Sequence, residues 1–140
     1  MIYGWRSSTI DIDLKADPEP ESFFTILQDL KRKLKINVDL ASPDMFLPAL
    51  PRWKERCVWI AGHRNINFYH FDFYSQAFAK ISRGHPRDLI DVNGMLESGL
   101  IKRSQLWELF QECIPNIIRY PAIEQDILTQ TMERFCFSDE

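Results

Sequence analysis

A chain of 140 residues with 45% apolar and 26% charged residues is long enough to bury a real core and short enough to form one domain. Its formal net charge of -3 excludes a protein that holds nucleic acid by overall charge alone, leaving only a local basic groove for that purpose. Cys57, Cys113 and Cys136 are odd in number and widely spaced in apolar surroundings, which points to buried thiols in a reducing compartment, the cytoplasm, rather than to disulfides or a zinc site. No run of about 18 apolar residues occurs, and the first residues lack the charged start and apolar stretch of a signal peptide, so neither secretion nor a membrane partner is expected.

The first predicted element is a strand from Trp5 to Leu14. Successive strand side chains point to opposite faces, so Asp11 and Asp13 share one face while Ile10, Ile12 and Leu14 take the other. Two carboxylates about 7 Å apart along one face repel each other, and a divalent cation such as magnesium or manganese would relieve them. The alternative is an edge strand with a solvated acidic face. Lys15-Ala-Asp-Pro-Glu-Pro20 ends the strand, because proline removes a ladder donor. Phe23, Phe24, Ile26, Leu27, Leu30 and Leu34 then recur at helical spacing and predict a helix beginning near Glu21 or Ser22. Its end carries Lys31 to Lys35, read as a solvated helix end in preference to a nucleic-acid patch.

Ile36 to Ala41 reads as a second strand, with Asp39 on the face opposite Val38 and Leu40, a third acid of buried aspect. A short helix within Ser42 to Leu47 ends at Pro48 and Pro51. Arg56 to Ala61 and Ile66 to Asp72 then read as two strands around the turn Gly62 to Asn65, completing a small sheet.

The second half is predicted to be helical. Phe73 to Ser82 carries an apolar stripe of Tyr74, Ala77, Phe78 and Ile81 with Lys80 beside it; Gly84-His-Pro86 ends that helix. Arg87 to Glu97 follows, with Leu89, Ile90, Val92 and Met95 inward. Ser104 caps a third helix, and Pro121 sets up a last one through Phe135. The fold class expected is α+β: a small mixed β-sheet flanked by helices, with a helical C-terminal part. The expected organisation is a single domain, residues 1–97 forming the core and 98–140 the C-terminal helices.

Asp11, Asp13 and Asp39 together place three acids on two neighbouring strands. Such a trio can hold two magnesium ions, one positioning a triphosphate and the other lowering the pKa of an attacking hydroxyl; a solvated sheet face is the plainer alternative. His63, His70 and His85 are too scattered for a zinc site, and no serine sits in an evident nucleophile arrangement. Trp53, Trp59 and Trp107 are expected to pack, and Phe68, Tyr69, Phe71, Phe73 and Tyr74 to run over the core rather than to stack bases.

Arg6-Ser-Ser-Thr-Ile-Asp-Ile-Asp-Leu14 resembles the Arg-x-x-Thr-x-Asp-Ile-Asp-Leu signature of polymerase-beta-like nucleotidyltransferases, particularly the minimal AbiEii-type enzymes found as toxins in bacterial toxin–antitoxin systems. Tyr74 to Asp91 is similar to that group's second block, a helical lysine followed by Arg-Asp-x-x-Asp. The resemblance covers roughly residues 4–97 and implies a nucleotidyltransferase fold. It implies that Asp11 and Asp13 are metal ligands and that Asp39 is the third carboxylate, acting as ligand or base, around two magnesium ions, with manganese as a substitute. It further implies that Lys80 faces the nucleotide phosphates, with Ser7, Ser8, Thr9 and Arg87 in the nucleotide-binding set. Asp88 and Asp91 would join Arg87 in a network at the helix start, where a structural role is as natural as a ligand role.

The activity implied is transfer of a nucleoside monophosphate from an NTP such as ATP to an RNA 3′ end, on tRNA for example, or to a protein hydroxyl. An antitoxin or a second copy of the chain would be the protein partner. The family also places a Gly-Gly or Gly-Ser pair about a dozen residues ahead of the first acid, a position that would precede Met1; Gly4 alone stands nearby. A start upstream, a compact variant using Gly4 and Ser7, and a degenerate non-catalytic binding module are the three explanations. A metal-dependent phosphohydrolase built on the same acids lacks His-rich ligands to support it.

Overall fold

The computed structural model describes residues 4–5 and 11–138. Its elements run β1 (Asp11–Leu14), α1 (Phe23–Leu34), β2 (Asn37–Leu40), β3 (Val58–His63), β4 (Ile66–His70), α2 (Phe73–Arg83), α3 (Pro86–Glu97), α4 (Arg103–Cys113) and α5 (Gln125–Phe137). Short 3-10 turns occupy Pro43–Met45, Trp53–Arg56 and Ile114–Arg119. The α+β class expected from the sequence is the one observed. Among the described residues the strands form two separate pairs: β1 and β2 are parallel, joined through α1 as a crossover, and β3 and β4 form an antiparallel hairpin. The hairpin loop is Arg64-Asn65, with β3 running on through Gly62 to His63.

The core is helical. Phe78, Phe110, Leu106, Val92, Met95, Met132 and Cys113 are fully buried among α2, α3, α4 and α5, and the Phe78 and Phe110 rings meet at 5.5 Å between centroids. Burial of each large apolar side chain contributes roughly 1.5–3 kcal/mol, so this cluster carries most of the hydrophobic stabilisation. Burial also pushes the Cys113 and Cys136 thiols up to about 11, which keeps both protonated at neutral pH.

Three expectations about packing are corrected. On α1 only Leu27 is buried, whereas Phe24, Ile26, Leu30 and Leu34 are exposed, because the two strands of β1 and β2 offer too narrow a surface to cover the whole stripe. On α3 the inward set is Asp88, Asp91, Val92, Gly94 and Met95, with Leu89 and Ile90 exposed. Trp53 stacks on Phe71 at 4.7 Å and Trp107 lies 5.6 Å from Phe110, but Trp59, Phe68 and Tyr69 are exposed on the hairpin, which pairs with no third strand among the described residues.

Asp72 ties the hairpin to the helices. Read from the sequence as a strand end, it is the N-cap of α2 and is fully buried. Its carboxylate accepts hydrogen bonds from the Tyr74 and Ser75 backbone N–H groups, both at 3.2 Å, and from Ser75 Oγ at 2.7 Å. Arg56 Nε and Nη2 donate to it at 3.0 and 2.7 Å, while Arg56 Nη1 donates to the Pro51 carbonyl at 2.6 Å. Removing one partner of a buried pair strands the other charge and costs about 3–5 kcal/mol, more than the ~1 kcal/mol of an N-cap alone. Asp72→Ala is therefore expected to lose about 3–5 kcal/mol in urea unfolding; a loss below about 1 kcal/mol would show that Arg56 finds another partner.

Candidate active site

In the parallel pair, Asp13 sits directly opposite Asp39 and Asp11 opposite Asn37. In-register neighbours in a parallel sheet project to the same side, so the three acids share one face, with Val38 buried beneath the other. That acid face is exposed, against the buried aspect expected for it, because among the described residues no further element covers this sheet of two strands. Asn37 Nδ2 donates a hydrogen bond to Asp11. Lys31 Nζ reaches Asp39 Oδ1 at 2.7 Å, so a lysine read as part of a solvated helix end is the counter-charge of the third acid. An exposed pair of this kind contributes no more than about 1 kcal/mol and is readily exchanged. Among the described residues, no three His, Cys, Asp or Glu side chains are drawn together closely enough to hold a metal ion. The donor set is nonetheless three hard oxygen ligands on one open face, the chemistry that suits magnesium or manganese.

The second half of the site is built at the junction of α2 and α3. Gly84 takes the left-handed conformation at φ 70° and closes α2 by donating its N–H to the Lys80 carbonyl at 2.8 Å; Pro86 then opens α3. The turn lays the start of α3 against the end of α2. Lys80 Nζ donates to Asp91 Oδ2 at 2.7 Å and lies 3.6 Å from Asp88 Oδ1. Arg83 grips Asp88 side-on, with Nε to Oδ2 at 2.7 Å and Nη2 to Oδ1 at 2.6 Å. Both aspartates are buried. The Arg83 hydrogen bonds hold the Asp88 carboxyl below its ordinary range, outweighing burial, and the charges of Arg83 and Lys80 act in the same direction. Arg83 is raised in turn, first by its bond to Asp88 and then, against burial, by the charges of Asp88, Asp13 and Asp91. Asp13 of β1 is thus within electrostatic reach of the helix pair.

Trp5 closes this arrangement from the N-terminal side. Its indole N–H donates to Asp91 Oδ1 at 3.3 Å, the carboxylate whose other oxygen holds Lys80. Its ring lies on Gly94 so closely that a Cβ there would come within 2.5 Å of the ring. Gly94 is needed for that close approach rather than for its backbone angles.

Asp11, Asp13 and Asp39 are therefore brought to one face, and Lys80 sits in a neighbouring ion-pair network. Ser7, Ser8 and Thr9 lie outside the described residues. Arg87 stands exposed on the first turn of α3, and the arginine that joins Lys80 is Arg83, which the sequence reading passed over. Spacing could have found it, since Arg83 follows Lys80 by one helical turn. No local signal points to the contacts of Trp5 with Gly94, or of Lys31 with Asp39.

The structure is thus α+β, with an Asp-x-Asp strand paired in register to a third strand acid and a helix pair bearing Lys80 and Arg83, the latter within electrostatic reach of Asp13. A family model described as a nucleotidyltransferase of unknown function, DUF6036, matches residues 2–136, and the chain belongs to that family. No curated protein and no solved structure matches the chain. The family match carries the nucleotidyltransferase class and not the narrower AbiEii type.

Two outcomes follow from this geometry. A carboxyl whose pKa is lowered on folding stabilises fully above its unfolded value, here 3.8, and loses that contribution as pH falls through the lower folded value. Asp88→Asn is accordingly expected to be less stable than wild type near neutral pH, with the deficit shrinking below pH 3.8; urea midpoints across that range check it. Gly94→Ala should lower stability by about 1–3 kcal/mol through overpacking against Trp5. Restoration of stability in Gly94→Ala/Trp5→Ala would identify the clash as the cause.

Proposed function

We propose that this chain is a magnesium-dependent nucleotidyltransferase that moves a nucleoside monophosphate from an NTP, ATP foremost, to an RNA 3′ end such as that of tRNA, or to a protein hydroxyl. The observation that supports it best is the register that sets Asp13 beside Asp39, with Asp11 on the same face and Arg83, the neighbour of Lys80 in the helix-pair network, within electrostatic reach of Asp13. Asp11, Asp13 and Asp39 would hold two magnesium ions, for which manganese can substitute. The ions would supply charge neutralisation at the triphosphate and a lowered pKa for the attacking hydroxyl.

The chain's own residues have defined tasks in this reading. Lys31 releases Asp39, a step that forfeits at most about 1 kcal/mol of surface pairing, and the freed carboxylate turns to the open face. Lys80, fixed by Asp91, offers an ammonium to the phosphates, where phosphoryl transfer needs charge stabilisation more than covalent help. Ser7, Ser8 and Thr9 add hydroxyl donors in the segment before β1. A toxin acting in the cytoplasm, restrained by an antitoxin or paired with a second copy, is the setting this reading favours.

A second reading, a non-catalytic binding module of nucleotidyltransferase descent, is favoured by one observation: Asp11 and Asp39 already engage Asn37 and Lys31. Labelled NTPs with magnesium and total tRNA or lysate separate the two. Wild type is expected to transfer label, with Asp11→Ala/Asp13→Ala reduced at least about 100-fold and Lys80→Ala at least about tenfold, in keeping with loss of preorganised charge. Equal labelling by all three proteins, or none by wild type, would favour the module.

A further inference from the structure

We propose that Arg83 is a phosphate-binding residue of this site, aimed by the buried carboxylate of Asp88 at the polyphosphate of the nucleotide; the proposal rests on the nucleotidyltransferase reading. A guanidinium is a rigid planar fork, so holding one edge decides where the other points. Asp88 takes the edge formed by Nε and Nη2, at 2.7 and 2.6 Å. The two N–H groups of Nη1 make no hydrogen bond among the described residues.

Exposure separates the two cations of the cluster. The Lys80 side chain is 21% exposed, its ammonium drawn between Asp91 and Asp88, whereas Arg83 is 60% exposed. Arg83 is therefore oriented yet open, with its side-chain conformation already restricted before a ligand arrives, which lowers the entropy cost of binding. The Asp13 charge also acts on Arg83, so the cation and that acid lie within electrostatic reach of each other. A doubly charged terminal phosphate is the chemistry that pairs with such an N–H edge, and magnesium on the acids would offset the repulsion from Asp13. Arg87, exposed on the first turn of α3, has no comparable carboxylate grip among the described residues.

Calorimetric titration with inorganic tripolyphosphate and magnesium, and separately with a short single-stranded RNA, tests the assignment in the full chain. Arg83→Gln is expected to weaken tripolyphosphate binding about tenfold or more, Arg83→Lys to weaken it severalfold by losing the fork, and Arg87→Gln to change it less than about twofold. Arg83→Lys keeps a cation opposite Asp88, so it decides the question should Arg83→Gln fail to fold, as judged by thermal melting. Tripolyphosphate binding unchanged in Arg83→Lys and Arg83→Gln, a loss transferred to Arg87→Gln, a loss confined to RNA, or no tripolyphosphate binding by wild type would each overturn the proposal. NTP label transfer measured on the same proteins separates the two readings. Arg83-dependent binding without transfer by wild type sinks the enzyme reading alone, and wild-type transfer kinetics in Arg83→Gln sink the Arg83 assignment alone.

Discussion

Two buried carboxylates at the start of α3 set the geometry of the site. A buried charge costs several kcal/mol unless it is paired and hydrogen-bonded, so Asp88 and Asp91 must face the end of α2, where Arg83 and Lys80 wait. That requirement decides the rotation of α3. It sends Leu89 and Ile90 outward and turns Gly94 to the side on which Trp5 packs. Trp5 then shares Asp91 with Lys80, so Trp5 is tied to the helix pair through one carboxylate.

Asp72 plays the corresponding role at the other end of α2. Its oxygens take the free N–H groups of the first helical turn and a guanidinium from the segment before β3, so both ends of α2 are held by ion pairs to buried acids. Tyr74 extends the anchor: the Arg56 guanidinium lies 5.7 Å from its ring centroid, its hydroxyl donates to Gln105 at 2.9 Å, and that hydroxyl accepts from the Lys102 N–H at 3.1 Å. The helix bearing Lys80 and Arg83 is thus anchored at both ends.

The acids occupy the opposite situation. β1 and β2 lie outside the main core, their acid face open and their carboxylates held by surface contacts from Lys31 and Asn37. Exposed carboxylates and a cationic helix anchored at both ends suit a site that must exchange cations and phosphates, since an exposed pair such as Lys31–Asp39 is exchanged at little cost while the buried network keeps its shape.

From the sequence alone, the order and type of the elements, the shared face of Asp11 and Asp13, the third acid on β2 and the lysine of α2 were all legible, because each rests on local periodicity or turn chemistry. So was the nucleotidyltransferase class, though not the narrower AbiEii type, since Asp-Ile-Asp and Lys…Arg-Asp-x-x-Asp are short local motifs in the chain. Periodicity says which residues share a face and not what covers that face. It therefore misplaced the α1 stripe and the inward residues of α3. Only the tertiary structure decided that Asp13 faces Asp39 in register, that Arg83 rather than Arg87 joins Lys80, and that Trp5 rests on Gly94. These are contacts between segments far apart in the chain or choices of helix rotation, and they follow from where buried charge finds its partners, which no local pattern encodes.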